Sequence, residues 1–185
     1  DEAIALARQM TWSPAVFGFT GGEPLMLGDR LRSVLLAFAE HHPNAKLEVL
    51  TNGRLAKDAL FTSQMLSSLP PRMCWMVPLY GHAPFLHDYV VQSEGAFSET
   101  IPGLLNLQRH RQPVQLRIVL IRPVLEVLPV LAEFIALNLP FVRGVALMGC
   151  EPVGYALANR AECEVDLMDW QRELRAAVRR LQRGD

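Results

Sequence analysis

Ala15-Val16-Phe17-Gly18-Phe19-Thr20-Gly21-Gly22-Glu23-Pro24 is the stretch whose reading decides the fold. Its first six residues form a short apolar run, too brief for a helix, and Gly21-Gly22 closes it, which predicts a strand ending in a turn. Leu27, Leu31, Val34, Leu35 and Phe38 then fall at i, i+4, i+7, i+8 and i+11, one face of a helix from Leu27 to His41. Pro43-Asn44 ends that helix. Lys46 to Thr51 reads as the next strand, closed by Asn52-Gly53. Strand, turn, helix, strand is the unit from which the rest of the chain is built.

Upstream, Ala3 to Met10 predicts a helix that stops at Ser13-Pro14. Downstream, a helix from Arg54 to about Leu66 stops before Pro70-Pro71, and Met73 to Leu79 is a third strand. A long loop containing Gly81, His82 and His87 follows. Ala96 to Gln108 predicts a helix whose first half is unsettled by Pro102 and Gly103. Gln115 to Ile121 is a strand, Val127 to Leu137 a helix with Pro129 near its start, Phe141 to Met148 a strand, and Met168 to Leu181 a closing helix. The strands are nearly all-apolar, the pattern of strands buried on both faces of a parallel sheet. An open doubly wound sheet and an arc of a barrel both satisfy it. In either, ligands sit beyond the carboxyl ends of the strands. Here those ends are Gly21-Gly22-Glu23-Pro24, Thr51-Asn52-Gly53, Pro78-Leu79-Tyr80-Gly81, Ile121-Arg122 and Met148-Gly149.

The 185 residues suit a single α/β domain, 1–185. A formal net charge of −1 offers no electrostatic case for nucleic acid or for an anionic membrane surface. Arg172, Arg175, Arg179, Arg180 and Arg183 make the last stretch basic, but Trp170, Leu174, Ala177, Val178 and Leu181 interleave at helical spacing, so the arginines read as a solvated face. No apolar run reaches membrane-spanning length. Cys74, Cys150 and Cys163 are too few and too scattered for a disulfide framework and suit a reducing cytoplasm. The chain opens inside a helical pattern without an initiator Met, as expected of part of a longer protein.

In Thr20-Gly21-Gly22-Glu23-Pro24 two glycines let a ligand approach the backbone, and Glu23 adds an acceptor for an ammonium group. The bland reading is an ordinary strand–helix turn. A Gly-Gly-Glu-Pro turn after one strand and Leu50-Thr51-Asn52-Gly53 after the next resembles the radical S-adenosylmethionine (SAM) enzymes. More narrowly, Gly18-Phe19-Thr20-Gly21-Gly22-Glu23-Pro24, Val77-Pro78-Leu79-Tyr80, His87-Asp88, Glu94-Gly95-Ala96-Phe97 and Val145-Ala146-Leu147-Met148-Gly149 are similar to radical SAM maturases of His-Xaa-Ser repeat peptide systems. The resemblance covers nearly the whole chain. It implies a partial (β/α)6 TIM-like barrel of parallel strands, running from the first helix through the sixth strand and a closing helix, with the first strand and cluster loop absent. It also implies that Gly21, Gly22, Glu23 and Pro24 hold the SAM amino group, with Thr51 and Asn52 beside them. The activity implied is radical modification of a ribosomally made peptide by a 5′-deoxyadenosyl radical, with a 4Fe–4S cluster as cofactor and a flavodoxin or ferredoxin as electron donor.

Several features depart from that pattern. The family's Cys-x-x-x-Cys-x-x-Cys, which ligates the cluster, is missing, and the spacing of Cys74, Cys150 and Cys163 supplies no substitute, so the chain alone is expected to be inactive. Pro78 stands where many peptide-modifying relatives have a Ser that touches the SAM ribose. Val91 stands where some have an Arg for the SAM carboxylate. Arg117, the only charge in Leu116-Arg117-Ile118-Val119-Leu120-Ile121, is a candidate to compensate, or else is paired to a carboxylate for structure or sits at the strand's wet end. By resemblance Met148 packs near the SAM adenine, and ordinary core filling is its alternative. His82, His87 and Asp88 lack a third ligand at metal-binding spacing. Cys74, inside an apolar run, is expected to be buried. Two other functions stay open: an inert SAM-barrel module that binds a precursor peptide or partner maturase, and an α/β enzyme that cradles phosphate on Gly21-Gly22. Glu23 argues against the latter by charge repulsion.

Overall fold

The computed structural model describes residues 2–70 and 72–182. Pro71, at the predicted stop of the third helix, and Arg183, in the basic stretch, lie outside the described residues. The elements are α1 (Glu2–Gln9), β1 (Val16–Phe19), α2 (Asp29–His41), β2 (Lys46–Leu50), α3 (Ala59–Leu66), β3 (Met73–Pro78), α4 (Pro84–Val91) and α5 (Ala96–Arg109). There follow β4 (Val114–Leu120), α6 (Arg122–Leu125), α7 (Leu128–Asn138), β5 (Gly144–Gly149), α8 (Tyr155–Ala158), α9 (Arg160–Cys163) and α10 (Leu167–Leu181). The five strands form a parallel sheet in the order β1-β2-β3-β4-β5, with Val16 opposite Lys46 and Leu47 opposite Met73. The α/β expectation therefore holds. Strand order never reverses, and a reversal is what defines a doubly wound sheet. Among the described residues no helix is long and apolar enough to cross a membrane.

Contacts divide the chain into two compact units, Asp1–Val77 with Glu99–Gln115 and Pro78–Ser98 with Leu116–Asp185. In the first, α2 buries Leu31, Val34, Leu35 and Phe38, the face that the spacing predicts. The Phe38 ring meets Phe17 and Phe19 edge-on, with centroids 4.8 and 5.1 Å away. Leu27 drops out of that face. Gly28 takes φ +50° and ends a 3-10 turn, Pro24–Leu27, so α2 begins at Asp29. The predicted third helix is likewise split. The Asp58 carboxylate accepts the Phe61 N–H at 2.9 Å and caps α3, leaving Leu55–Lys57 as a separate 3-10 turn.

In the second unit α7 buries Leu128, Leu131, Ala132 and Ile135, and α10 packs along it through the buried Ala177. Arg172 faces outward and pairs with Asp169 at 2.9 Å and Glu173 at 2.7 Å, as a solvated face requires. The expected long loop after β3 contains α4, which starts on Pro84. Burial on both faces holds only for β3. Along β4, Val114, Leu116, Ile118 and Leu120 are buried while Gln115, Arg117 and Val119 are half-exposed, so apolar composition concealed an alternation.

Candidate functional site

The turn after β1 brings a carboxylate to the carboxyl end of the sheet. Gly21 and Gly22 adopt φ +108° and +51°, backbone that L side chains rarely take, and nothing lies within 4 Å of a Cβ built on either. Conformation, not crowding, requires glycine here, and both residues are exposed. The next residue, Glu23, caps the 3-10 turn, its Oε1 accepting the Leu25 N–H at 3.0 Å behind a buried Pro24. The Thr51 hydroxyl donates to the same oxygen in a short hydrogen bond, and the Asn52 N–H donates to Oε2 at 2.8 Å. One carboxylate thus ties together the turns that end β1 and β2. A carboxylate offers about four lone-pair positions, of which three are taken. Among the described residues no Lys, Arg or His pairs with Glu23.

Helix α5 holds the second turn in place. Thr100 Oγ1 donates to the Asn52 carbonyl at 3.2 Å, and Asn106 Nδ2 donates to the Ala56 and Lys57 carbonyls at 2.9 Å each. Between them, a Cβ on Gly103 would sit 2.1 Å from the Gly53 carbonyl oxygen. Thr100, Gly103 and Asn106 recur every three residues, so they form one stripe of the helix. Pro102 lies inside a continuous α5, and Gly103 is where the turn docks. Sequence reasoning missed this stripe, although Pro102-Gly103 within a helical pattern was its signal. Glu99, at the head of the same stripe, accepts from Lys57 and Arg54, and these two hydrogen bonds hold its carboxyl below the usual range. Asn52 Oδ1 accepts the Arg54 N–H at 3.0 Å, closing the turn on itself.

In the second unit, Arg117 extends from the half-exposed face of β4 to Met148 on β5, its Nη2 lying 3.1 Å from Sδ. No carboxylate pairs with it among the described residues, so the structural ion pair is not what holds it. Burial raises the Tyr80 phenol, while the Arg117 charge acts in the opposite direction. Nearby, His87 and Asp88 serve structure. His87 Nδ1 accepts the Tyr80 N–H at 3.2 Å, and Asp88 accepts the Gly95 and Phe97 N–H groups at 2.7 Å each, capping α5.

The fold therefore brings Glu23 together with Thr51 and Asn52, with Gly21, Gly22 and Pro24 shaping the approach, and separately joins Arg117 to Met148. Cys74 is half-exposed, not buried, although Met73, Trp75, Met76 and Val77 around it in β3 are buried. Cys150 and Cys163, far apart in sequence, line one cavity of the second unit. Among the described residues no group of three His, Cys, Asp or Glu is placed to hold a metal ion. No protein-family model matches the chain, and no curated protein matches it.

Proposed function

We propose that the chain is the SAM-binding core of a radical SAM enzyme, a partial (β/α)6 barrel that grips the ammonium of SAM's methionine moiety with Gly21, Gly22 and Glu23. The observation that carries this reading is the state of Glu23. Three donors fix its carboxylate, yet among the described residues its charge has no cationic partner, and one of its roughly four lone-pair positions is not taken by these donors. An ammonium supplies both the charge and the donor. A phosphate would meet repulsion at the same place. When bound to the full enzyme, SAM supplies the 5′-deoxyadenosyl group for hydrogen abstraction from a peptide substrate, one rich in His-Xaa-Ser repeats by resemblance.

The 4Fe–4S cluster does not fit the residues present. Cys74, Cys150 and Cys163 lack the Cys-x-x-x-Cys-x-x-Cys spacing, and among the described residues no three His, Cys, Asp or Glu side chains gather where they could hold a metal ion. In this reading the chain orients SAM and does not reduce it. The same cysteine set favours a second reading, an inert SAM-barrel module that binds a precursor peptide or partner maturase.

Equilibrium dialysis with labelled SAM tests the proposal. Saturable binding competed by S-adenosylhomocysteine, which keeps the amino acid moiety, is expected, and absence of binding overturns it. Anaerobic reconstitution with iron and sulfide should leave the chain without a stoichiometric cluster and without 5′-deoxyadenosine production under dithionite. A brown protein with about four irons per chain would show that the cysteines had been misread.

A further inference from the structure

We infer that the groove between α7 and α10 is a docking site for an acidic amphipathic helix of a partner protein. Both helices belong to the second unit and pack against each other. Arg180 on α10 faces Glu133 on α7 across their contact, with 3.8 Å from Nε to Oε2. The groove has a volume of about 660 Å³, with Leu137 and Ala176 in its lining and Arg172, Arg179 and Arg180 along its α10 side. Helical geometry groups the same residues. Arg172, Ala176, Arg179 and Arg180 follow at i, i+4, i+7 and i+8, and Glu133 and Leu137 stand four apart on α7.

Two features of this groove call for a partner of mixed character. The first is apolar. Leu137 is 73% exposed, whereas Leu128, Leu131, Ala132 and Ile135 of the same helix are buried. A single exposed leucine on a convex surface is ordinary, but this one lies in a groove walled by cations. The second feature is a one-sided charge. In the first half of α10, Asp169 and Glu173 neutralise Arg172. From Leu174 to Leu181 the helix carries Arg175, Arg179 and Arg180 and no acid, and α7 offers Glu133 alone. That carboxylate is beyond hydrogen-bond distance of the Arg180 Nε, and Arg180 Nη1 donates instead to the Ala176 carbonyl at 3.2 Å. Arg179 is exposed and pairs with no carboxylate among the described residues. Position near the carboxyl end of α10 suits any arginine, through the helix dipole, but does not account for the leucine beside them.

An acidic amphipathic helix answers both features. Its apolar stripe covers Leu137 and Ala176, and its flanking carboxylates meet Arg179 and Arg180. A nucleic acid would meet the arginines and leave Leu137 in water. A flat lipid surface would not enter a groove.

Fluorescence anisotropy tests the inference on the full chain. The probe is a labelled peptide of about 14 residues, built of Leu and Glu with its leucines at i, i+3, i+4 and i+7. Saturable binding that weakens in high salt is expected. A peptide of the same composition with its leucines off the helical period, and one with Lys in place of Glu, should each bind at least about tenfold more weakly. Arg179→Glu combined with Arg180→Glu should weaken binding roughly tenfold, and Leu137→Glu by a similar factor, with circular dichroism unchanged. The neutral pair Arg179→Gln with Arg180→Gln, gentler on α10, should act in the same direction by a smaller factor. Absence of binding, equal binding of the Glu and Lys peptides or of the two leucine patterns, or binding untouched in these variants would overturn the inference. So would capture by phosphatidylserine vesicles or heparin in place of the peptide, which would assign the face to a lipid or a polyanion. Self-association in sedimentation that Arg179→Glu with Arg180→Glu abolishes would overturn it in favour of a second copy of the chain.

Discussion

Glu23 and Arg117 are both charged side chains without a counter-charge among the described residues, and the fold holds them in opposite ways. Two backbone N–H groups and a hydroxyl, drawn from two strand-end turns, converge on the Glu23 carboxylate. Arg117 has a thioether, a weak acceptor, beside one nitrogen of its guanidinium. The anionic position is thus specified by three hydrogen bonds from two turns, and the cationic one by a single weak acceptor. Removing Glu23 strands donors, whereas removing Arg117 relieves an uncompensated charge. A charge fixed this firmly, with no counter-charge among the described residues, is the observation behind the proposed ammonium site.

The largest expected effect attacks the support behind Glu23. Gly103→Ala places a methyl against the backbone oxygen of Gly53, where no side-chain rotation relieves the clash. Urea denaturation should show a loss of about 3 kcal/mol, the upper part of the range for overpacking. A loss under about 0.5 kcal/mol would mean that α5 does not anchor the turn.

The direct comparison comes next. Glu23→Ala removes the charged acceptor of the buried Thr51 hydroxyl and should cost about 2 kcal/mol. Arg117→Met removes a charge from a half-buried strand position and should change stability by less than about 0.5 kcal/mol in either direction. Equal losses in the two variants would erase the distinction drawn here.

The smallest effect is acid sensitivity through Glu99. Its carboxyl is held below the ordinary glutamate value near 4.5 by Lys57 and then Arg54. A carboxyl whose folded pKa is lowered contributes stability above its unfolded pKa. That contribution is lost as pH falls through the lowered folded value. Stability of the parent chain should therefore decline below about pH 4.5 more steeply than that of Glu99→Gln. With Lys57 half-exposed and Glu99 partly so, the difference should stay below about 1 kcal/mol and shrink in high salt. Parallel pH profiles would remove Glu99 from the account.

What the sequence revealed and what it hid divide along physical lines. The apolar face of α2 was legible because Leu31, Val34, Leu35 and Phe38 follow the helical period without interruption. Strand ends were legible because Gly21-Gly22 and Asn52-Gly53 need turn backbone wherever the rest of the chain lies. Glu23, Thr51 and Asn52 were singled out by type and place, but their mutual hydrogen bonds join residues 28 or 29 positions apart and have no local signature. Pro102 and Gly103 looked like helix breakers because the reason for Gly103, the Gly53 carbonyl, comes from another element. Helix α4 was hidden by its Pro84 start and by His87 and Asp88, whose partners are tertiary or in the next helix.

Calorimetry with two ligands and two proteins tests the central claim most directly. SAM and 5′-methylthioadenosine share the adenosine and the 5′ sulfur, and only SAM carries the ammonium. The account predicts that Glu23→Gln weakens SAM binding by roughly tenfold or more, the worth of a charge-assisted hydrogen bond, and leaves 5′-methylthioadenosine unchanged. Equal weakening of both ligands, or no change in either, would contradict the assignment of Glu23 to the ammonium.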